Sequence, residues 1–413
     1  MLNRLKNPSV LKIIIPLSAV AILSRTFPPF SFFYYLLPLL FLFILFAGYE
    51  FVIKDKALRN MMILLFLFGL WSAATSLWSD YPFISLSRSG YFIFISLSAA
   101  LGGYLYRQVK SDILSFLLPA NIIIMGLSLF SLITNIPSES WTGGNGKGFM
   151  GFAGHQNTLA SAILFTLPAV FIKVRNLKSN ALTSGKQVRN ISLWLLFFIN
   201  LIILLLTFSR ASILAFICGL IIFLILNKKW NTLIYSAAVI LLVFSYIWFS
   251  PSLKVEANKF VRKDFPAFYS TRLWMWEPSC RAALSGGIFG LGYGISEPDI
   301  IVPGTGSYYD NGRYIREKGN SFLALVEETG LAGLVLFLLP LGYLLKMQRV
   351  KSIELRDTSP INHIQFSIII SVLVALIIHS QFEAWMVGVG SIQLPIFFLY
   401  IGCMIRPVAT IDN

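Results

Sequence analysis

Residues 191–227 read ISLWLLFFINLIILLLTFSRASILAFICGLIIFLILN, two apolar runs that are separated only by Ser209 and Arg210. Each run, 191–208 and 211–227, approaches the roughly 20 residues that an α-helix needs to cross a bilayer. The pattern predicts a helical hairpin within a membrane, with its polar pair at a tight turn.

Ten further apolar runs lie along the chain. They cover residues 9–24, 31–53, 60–79, 83–104, 112–134, 154–174, 231–249, 321–345, 362–381 and 384–405. The 413 residues are 56% hydrophobic and only 12% charged, whereas soluble domains carry about 25% charged residues. This composition excludes a soluble globular protein and predicts an all-α polytopic membrane protein of about twelve transmembrane helices. The first run follows basic residues as in a signal peptide, but no small-residue cleavage site follows it, so we interpret it as a retained helix.

The net charge of +15 comes mostly from basic residues between the apolar runs. Basic residues concentrate in cytoplasmic loops, so their alternation gives the orientation. The short outer loops hold only Arg25, Lys147 and the boundary residue Arg210, and the inner loops hold the larger groups: Lys54, Lys56 and Arg59; Arg107 and Lys110; Lys173, Arg175, Lys178, Lys186 and Arg189; Lys228 and Lys229; Lys346, Arg349, Lys351 and Arg356. We therefore predict that both termini are cytoplasmic. The positive charge is predicted to orient the helices among membrane lipids, and not to bind nucleic acid.

This orientation divides the chain into three predicted parts. Residues 1–249 carry nine transmembrane helices, 250–320 form one large loop on the outer side, and 321–413 carry three more helices. Within the loop, Pro278 is predicted to start a short helix and Gly286–Gly287 to end it. The stretch Gly290–Gly294 is too rich in glycine for regular helix and predicts a turn close to the membrane.

Cysteine and histidine are sparse. Three cysteines show no paired spacing, and three histidines lie far apart in the sequence. Neither a disulfide framework nor a zinc site is indicated, and we predict no metal or other cofactor.

Polar residues gather near the predicted outer face. Because polar groups within a membrane are costly, each is a candidate for function. The candidates are Arg88, His155, Asn157, Arg210, Asn320, Glu327, Glu328, His379 and Glu383. Guanidinium groups bind phosphate oxygens in two-point contacts, so arginines at this depth, with Arg272 of the loop, suit an anionic ligand that enters from the outer leaflet.

Each candidate also has a purely structural interpretation. Arg88 could pair with a carboxylate or extend to the surface, and Ser209–Arg210 could simply cap a helical hairpin. Asn320 could be a helix N-cap. Glu327 could form a packing salt bridge, and His379 could be a hydrogen-bonded structural histidine. The sequence leaves these alternatives open.

Five motifs in a fixed order resemble the O-antigen ligase and polymerase superfamily, over about residues 145 to 345. The stretch Gly154-His155-Gln156-Asn157-Thr158-Leu159-Ala160 is similar to its G-x-x-N-x-x-A helix opening, and Thr207-Phe208-Ser209-Arg210-Ala211-Ser212 to its Ser-Arg turn. Ser270-Thr271-Arg272-Leu273-Trp274-Met275-Trp276 resembles its loop arginine followed by an aromatic residue. Phe289-Gly290-Leu291-Gly292-Tyr293-Gly294 resembles its glycine turn. Gly319-Asn320-Ser321-Phe322-Leu323 through Glu328-Thr329-Gly330-Leu331-Ala332-Gly333 resembles its His-Asn-x-x-Leu…Glu-x-Gly-x-x-Gly segment.

The resemblance implies a GT-C-like, metal-independent glycosyltransferase of the bacterial inner membrane. Its donor would be a glycan on undecaprenyl diphosphate, and its acceptor a sugar of the lipid A core or of another lipid-linked glycan, at the periplasmic face. By this resemblance Arg210 and Arg272, with Arg88, would hold the diphosphate and stabilise the charge that grows as the glycosidic bond breaks. His155, Asn157 and Asn320 would contact other parts of the substrate.

One position departs from the family pattern. The histidine before Asn320, which in ligases is thought to help activate the acceptor hydroxyl, is Gly319 here. Glu327, His379 and Glu383 are the predicted replacements as a base, and the departure favours a polymerase or an exopolysaccharide-joining relative over a strict lipid A ligase. Two other classes stay open: a transporter or flippase of a lipid-linked or anionic substrate, which should have broken helices and ionisable groups near the midplane, and a structural membrane protein.

Overall fold

The computed structural model describes most of the chain. The described residues are 8–109, 114–136, 148–177, 184–250, 270–297, 308–310, 313–315, 318–358, 360–388 and 390–405.

Helices dominate the described residues. In chain order the α-helices are α1 (Pro8–Ser24), α2 (Leu37–Lys54), α3 (Lys56–Ala74), α4 (Pro82–Val109), α5 (Leu118–Thr134), α6 (Gln156–Leu177), α7 (Ser184–Leu206), α8 (Arg210–Leu226), α9 (Trp230–Phe249), α10 (Ser270–Gly286), α11 (Ser321–Thr358), α12 (Pro360–His379) and α13 (Gln393–Ile405). Short 3-10 helices cover Pro28–Leu36, Thr75–Leu77 and Ser115–Leu117. Each of the twelve predicted apolar runs contains one of these α-helices, and the predicted helical class is confirmed.

Six helical stretches are long and apolar enough to cross a membrane: Pro28–Lys54, Lys56–Leu77, Pro82–Val109, Ser115–Thr134, Gln156–Arg175 and Ser321–Gln348. Five shorter apolar helices accompany them within the described residues, at Ser9–Ser24, Asn190–Leu206, Arg210–Leu226, His363–His379 and Gln393–Ile405. These helices point to an integral membrane protein. The number of twelve crossings stays a prediction.

The chain folds as two compact units. The first unit comprises Met1–Ala120, Met275–Phe366 and Ser380–Asn413, and the second comprises Asn121–Trp274 and Ser367–His379. The three predicted consecutive parts, which describe orientation in the membrane, stay a prediction.

The core of the first unit contains the crossing of α4 and α13. Gly402 allows this crossing, because a Cβ placed there would lie 2.8 Å from the carbonyl carbon of Ala100 and 2.9 Å from the amide nitrogen of Tyr104. Small residues of this kind let helix backbones approach closely in membranes. All thirteen residues of α13 are buried, so this short helix lies in the interior of the unit.

A buried polar network holds three helices of the second unit together. The side chain of Asn121 on α5 donates hydrogen bonds to Thr166 of α6 and to the side-chain oxygen of Asn200 on α7, both at 2.8 Å. All three side chains are fully buried. Since buried amides are costly unless they are satisfied, this network fixes the relative register of α5, α6 and α7.

Helix α11 is broken at Gly330, where the sequence predicted an uninterrupted run. Gly330 has φ 71° and ψ 179°, outside the helical region. The preceding loop fills the break: the amides of Leu291 and Gly292 donate to the carbonyls of Glu327 and Glu328, at 2.9 and 3.0 Å. On the far side, the amides of Leu331 and Ala332 donate to the carbonyls of Gly287 and Ile288, at 3.0 and 3.1 Å. Trp71 of α3 donates its indole N–H to the carbonyl of Thr329 at 2.8 Å.

Three other predictions of local structure are corrected. Pro278 does not start α10, which begins at Ser270 and contains this proline, although the helix ends at Gly286 as predicted. The last apolar run, 384–405, is helical only from Gln393, and turns precede it. Strands β1 (Tyr308–Asp310) and β2 (Arg313–Ile315) form an antiparallel pair in the segment that was predicted only as loop. The predicted non-helical turn at Gly290–Gly294 is confirmed, with positive φ at Gly290, Gly292 and Gly294.

Candidate functional site

The Ser-Arg turn of the second unit joins α7 to α8. Phe208 adopts φ 53°, a conformation that is uncommon for residues other than glycine and often marks functional sites. Ser209 is the N-cap of α8, but its side chain makes no capping bond. Its hydroxyl donates instead to the hydroxyl of Ser212 at 3.2 Å. Arg210 thus begins a helix whose N-terminus carries partial positive charge, an arrangement that favours anions.

His379 lies beside this turn. It is fully buried at the end of α12, and its Nε2 lies 3.1 Å from the hydroxyl of Ser212. The polar line Ser209–Ser212–His379 therefore ties the C-terminus of α12 to the N-terminus of α8. A hydrogen-bonded structural histidine, one of the two interpretations of His379, fits this geometry.

The opening of α6 lies against the same turn. The imidazole Nδ1 of exposed His155 accepts a hydrogen bond from the amide of Asn157 at 3.1 Å, so His155 caps α6, and the two residues open this helix as predicted. Gly148 is in contact with the side chain of Gln156 and with the carbonyl of Thr207, which leave no space for a Cβ. The positive ends of α6 and α8 therefore share a neighbour.

An apolar cavity of about 100 Å³ lies further along the same helices. Its lining residues are Leu164, Leu167, Pro168 and Phe171 of α6, Phe197 of α7, Phe216, Gly219, Leu220 and Phe223 of α8, and Ile368, Ser371, Val372 and Ala375 of α12. At 1.5 Å per residue, the α8 residues lie about 9 to 20 Å along the axis from Arg210. The α12 residues lie about 6 to 17 Å from His379 by the same measure. The polar end at Arg210 and His379 and the apolar cavity therefore lie on the same two helices, α8 and α12.

The first unit contains a second polar centre, on α11. Glu327 and Glu328 are buried, and Lys318 bridges them with its ammonium group, 3.4 Å from Glu327 and 2.6 Å from Glu328. The amide of Glu297 donates to Glu327 at 2.9 Å, and the amide of Gly294 donates to Glu328 at 2.7 Å. The salt-bridge interpretation of Glu327 fits these contacts, and the carboxylate pair holds both the glycine turn and the start of α11.

Arg88 belongs to this second centre. Its guanidinium donates to the carbonyl of Gly294 at 2.8 Å, and it packs so closely on Gly294 that no side chain fits at that position. Tyr293, next in the turn, is fully buried, and its burial, together with the nearby Glu328 carboxylate, raises its pKa well above the ordinary value. Tyr293 therefore stays neutral, and its hydroxyl lies 3.4 Å from the carbonyl of Val387.

Asn320 is the N-cap of α11, as one of its two interpretations predicted. Its side-chain oxygen accepts from the amides of Phe322 and Leu323 at 2.8 and 3.1 Å, and its Nδ2 donates to Gln381. Ser321 joins this end to the turn after α12, since its hydroxyl donates to the carbonyl of Glu383 at 2.9 Å. Glu383 is only half-buried, unlike Glu327 and His379.

The candidate residues thus fall into two groups. His155, Asn157, Arg210 and His379 lie in the second unit, and Arg88, Asn320, Glu327, Glu328 and Glu383 lie in the first. Arg272 lies in the first turn of α10, and its side chain lies outside the described residues. The prediction that all of them share one depth stays a prediction.

Lys318 is the buried ion-pair partner that sequence reasoning missed. It was counted among the basic residues of the loop and not as a partner of Glu327 and Glu328. The available signal was its position: Lys318 lies just before the apolar run that contains Glu327 and Glu328, and two carboxylates in such a run need a cation nearby. Within the described ranges, no three His, Cys, Asp or Glu side chains group so that they could hold a metal ion.

The apolar helices and the polar residues buried at their ends define the class: an integral membrane protein that keeps ionisable groups at helix ends. Residues 195–338 match the family model described as O-antigen ligase. The family predicted from the motifs is thereby confirmed, and membership of the O-antigen ligase superfamily is supported. The matched segment contains the Ser-Arg turn, Arg272, the glycine turn and the opening of α11. No curated protein matches the chain. The family supports a membrane enzyme of O-antigen or other polysaccharide assembly.

Proposed function

We propose that this protein is a glycosyltransferase of the bacterial inner membrane that joins an undecaprenyl-diphosphate-linked glycan to an acceptor sugar at the periplasmic face. The acceptor is a sugar of another lipid-linked glycan or of the lipid A core. The proposal includes twelve membrane crossings with cytoplasmic termini, and a reaction that needs no metal.

The observation that carries the proposal is that the Ser-Arg turn and the apolar cavity lie along the same helix, α8. A lipid-linked donor combines an anionic diphosphate with an isoprenoid chain. Arg210 at the positive end of α8 suits the diphosphate, and the cavity that residues of α6, α7, α8 and α12 line suits the first part of the isoprenoid chain. Arg210 also lies within the segment that matches the family.

The residues are given distinct roles. Arg210 and Arg272 hold the diphosphate, and neutralise its charge as the bond between the anomeric carbon and the diphosphate oxygen breaks. The acceptor hydroxyl oxygen forms the new bond to that carbon, and its proton passes to a base. Glu327, His379 and Glu383 are the candidate bases, and Glu383 is the least buried of the three. Arg88 is assigned to the glycine turn that it contacts.

One experiment tests the reaction class. The purified protein is incubated with a polyprenyl-diphosphate oligosaccharide, with and without an added acceptor glycan, and the products are separated by size. A ladder of products identifies a polymerase, and one new conjugate that requires the added acceptor identifies a ligase. Absence of any product with an intact, folded protein contradicts the proposal.

The break in α11 is the observation that favours the transporter or flippase alternative, since transporters use broken helices at their binding sites. In this protein, however, the loop 287–292 and Trp71 occupy the backbone groups at the break. The alternative predicts movement of a labelled lipid-linked donor across proteoliposome membranes without new glycosidic bonds, which the product separation distinguishes directly.

A further inference from the structure

Met275 and Trp276 of α10 occupy the space next to Gly319, where the family pattern has a histidine. A Cβ at Gly319 would lie 2.9 Å from the Cβ of Met275 and 3.5 Å from the ring of Trp276. The indole N–H of Trp276 donates to the carbonyls of Gly319 and Gln381, at 3.2 and 3.1 Å. A histidine therefore does not fit here without a shift of α10, and the indole ring is fixed by two backbone carbonyls.

Trp276 and Phe382 form a pair of rings. Their centroids are 5.6 Å apart with an interplanar angle of 38°, and both side chains are only half-buried. The one polar atom of the indole is already bonded, so the accessible part of this pair is apolar ring surface. The fixed ring costs little conformational entropy when a ligand packs on it.

Carboxamide groups border the rings. The Nδ2 of Asn320 donates to the side-chain oxygen of Gln381 at 3.1 Å, and the Nε2 of Gln381 donates to the hydroxyl of Ser380 at 3.2 Å. Glu383 follows Gln381 by two residues. An apolar face bordered by amide and carboxylate groups matches one kind of molecule well, because a pyranose ring has a face of C–H groups and a rim of hydroxyls.

We infer that the ring platform, defined as Trp276, Phe382, Gln381 and Asn320, binds a sugar ring, and that this sugar is the acceptor. The C–H face packs on the rings, and the hydroxyls exchange hydrogen bonds with the carboxamide of Gln381, which Asn320 holds in place. The assignment to the acceptor rests on the proposed function, whereas the sugar site itself does not. The platform adjoins Gly319, where the family pattern has its histidine. A sugar on the platform would therefore lie close to the position of that histidine and to Glu383.

The test measures sugar binding in the absence of any donor. Saturation-transfer NMR on the purified full chain uses methyl glycosides of glucose, galactose, mannose, rhamnose and N-acetylglucosamine. At least one of them should bind, and Trp276→Leu should weaken that binding about tenfold, because a ring contact contributes about 1 kcal/mol or slightly more. Trp276→Phe keeps a ring and should retain most of the binding. If Trp276→Leu does not fold, Phe382→Leu replaces it, with a loss of the same direction.

Trp78 provides the matched control. It lies in the same unit, donates its indole N–H to the carbonyl of Gly290 at 2.9 Å and packs beside Phe289. Trp78→Leu should leave sugar binding unchanged. Binding of none of the glycosides, wild-type affinity in Trp276→Leu, or an equal loss in Trp78→Leu would overturn the inference. Sugar binding without glycan transfer would contradict only the proposed function, and transfer without sugar binding at these residues would contradict only the platform.

Discussion

At the scale of single residues, the polar centre on α11 and the Ser-Arg turn differ in the partners of their side chains. In the centre on α11, the carboxylates bond to Lys318 and to backbone amides, so their charges are used within the protein. At the Ser-Arg turn, the hydroxyl of Ser209 bonds to that of Ser212, and Arg210 is the first residue of α8, next to the partial positive charge of the helix N-terminus. The first arrangement is typical of architecture and the second of anion binding.

Arg210→Ala should abolish most glycan transfer. Loss of one group that stabilises developing charge costs about 100- to 1000-fold in rate, and Arg210→Lys should also be impaired, because an ammonium lacks the fork geometry of a guanidinium. Initial rates with a saturating lipid-linked donor measure the effect. Arg281→Ala is the control, since Arg281 is exposed and pairs with Glu277 on the surface of α10. Full activity of both Arg210→Ala and Arg272→Ala would remove the proposed diphosphate site.

Lys318→Met should destabilise the fold. It leaves two buried carboxylates without their shared cation, and breaking a buried pair in this way costs about 3 to 5 kcal/mol. Thermal unfolding in detergent measures the change, and a second substitution, Glu328→Gln, should restore part of the stability. Lys54→Met is the control, because Lys54 is largely exposed in its pair with Glu50 and its loss should cost less than about 0.5 kcal/mol. Equal midpoints for Lys318→Met and Lys54→Met would show that the pairing is unimportant.

Sequence reasoning at this scale succeeded where the signal was local. Asn320 precedes an apolar run, so its capping role followed from position, and His155 and Asn157 were placed correctly at a helix opening. The partners of Glu327 and Glu328 were not predictable, because Glu297 and Gly294 reach these carboxylates through a loop whose path depends on the break at Gly330. The packing of Trp276 on Gly319 was also hidden, since it joins residues 43 positions apart.

At the scale of elements, α11 shows how a hydropathy pattern conceals structure. Glycine is common in transmembrane helices, so Gly330 within an apolar run gave no reason to expect a break. The segment 384–392 misled for the same reason. Trp385, Met386, Val387 and Ile392 are buried but not helical, and only Gly388 and Gly390 suggested this. Hydropathy reports burial in an apolar setting, whereas the backbone conformation depends on partners distant in sequence.

Gly330→Ala should disturb the break in α11. A side chain at φ 71° costs about 1 to 3 kcal/mol, and the added Cβ would meet the backbone of Ile288 and Phe289. The unfolding midpoint in detergent should fall, together with the transfer rate. Gly342 is the matched control on the same helix, because a Cβ there meets nothing within 4 Å, and Gly342→Ala should be neutral or slightly stabilising. A Gly330→Ala variant as stable as Gly342→Ala would argue against the break.

The cavity among α6, α7, α8 and α12 yields a prediction about the donor lipid. Val372→Phe should partly fill this cavity. The preference of the enzyme for a long-chain over a short-chain polyprenyl donor should then shrink by about tenfold, because each buried methylene contributes about 0.8 kcal/mol to binding and about two of them would lose their place. The ratio of KM values for the two donors measures this. Leu214→Phe, on α8 but outside the cavity lining, should keep the wild-type ratio. An unchanged ratio of KM values in Val372→Phe would show that the isoprenoid chain of the donor does not bind in this cavity.

At the scale of the whole molecule, the sequence predicted helix positions better than their arrangement. Every apolar run proved to contain a helix, because length and hydropathy suffice for that conclusion. The two compact units were not predictable, since α10 and α12 each contribute to both of them and no composition change marks this exchange.

The three cysteines allow a test of the proposed topology. Cys280 is exposed on α10, whereas Cys403 is buried and Cys218 partly so. A membrane-impermeant maleimide added to intact spheroplasts should label the protein at Cys280, and Cys280→Ser should remove the label. Labelling that appears only after lysis would place α10 in the cytoplasm and reverse the orientation.

The filled break in α11 restricts how such a protein can diverge. Residues 287–292 and 327–332 supply each other's missing backbone partners, and a bare amide or carbonyl in an apolar setting costs several kcal/mol. Recombination between homologous genes should therefore be tolerated when its junctions fall outside 286–332. Viable chimaeras are expected to inherit that stretch as one block, from a single parent.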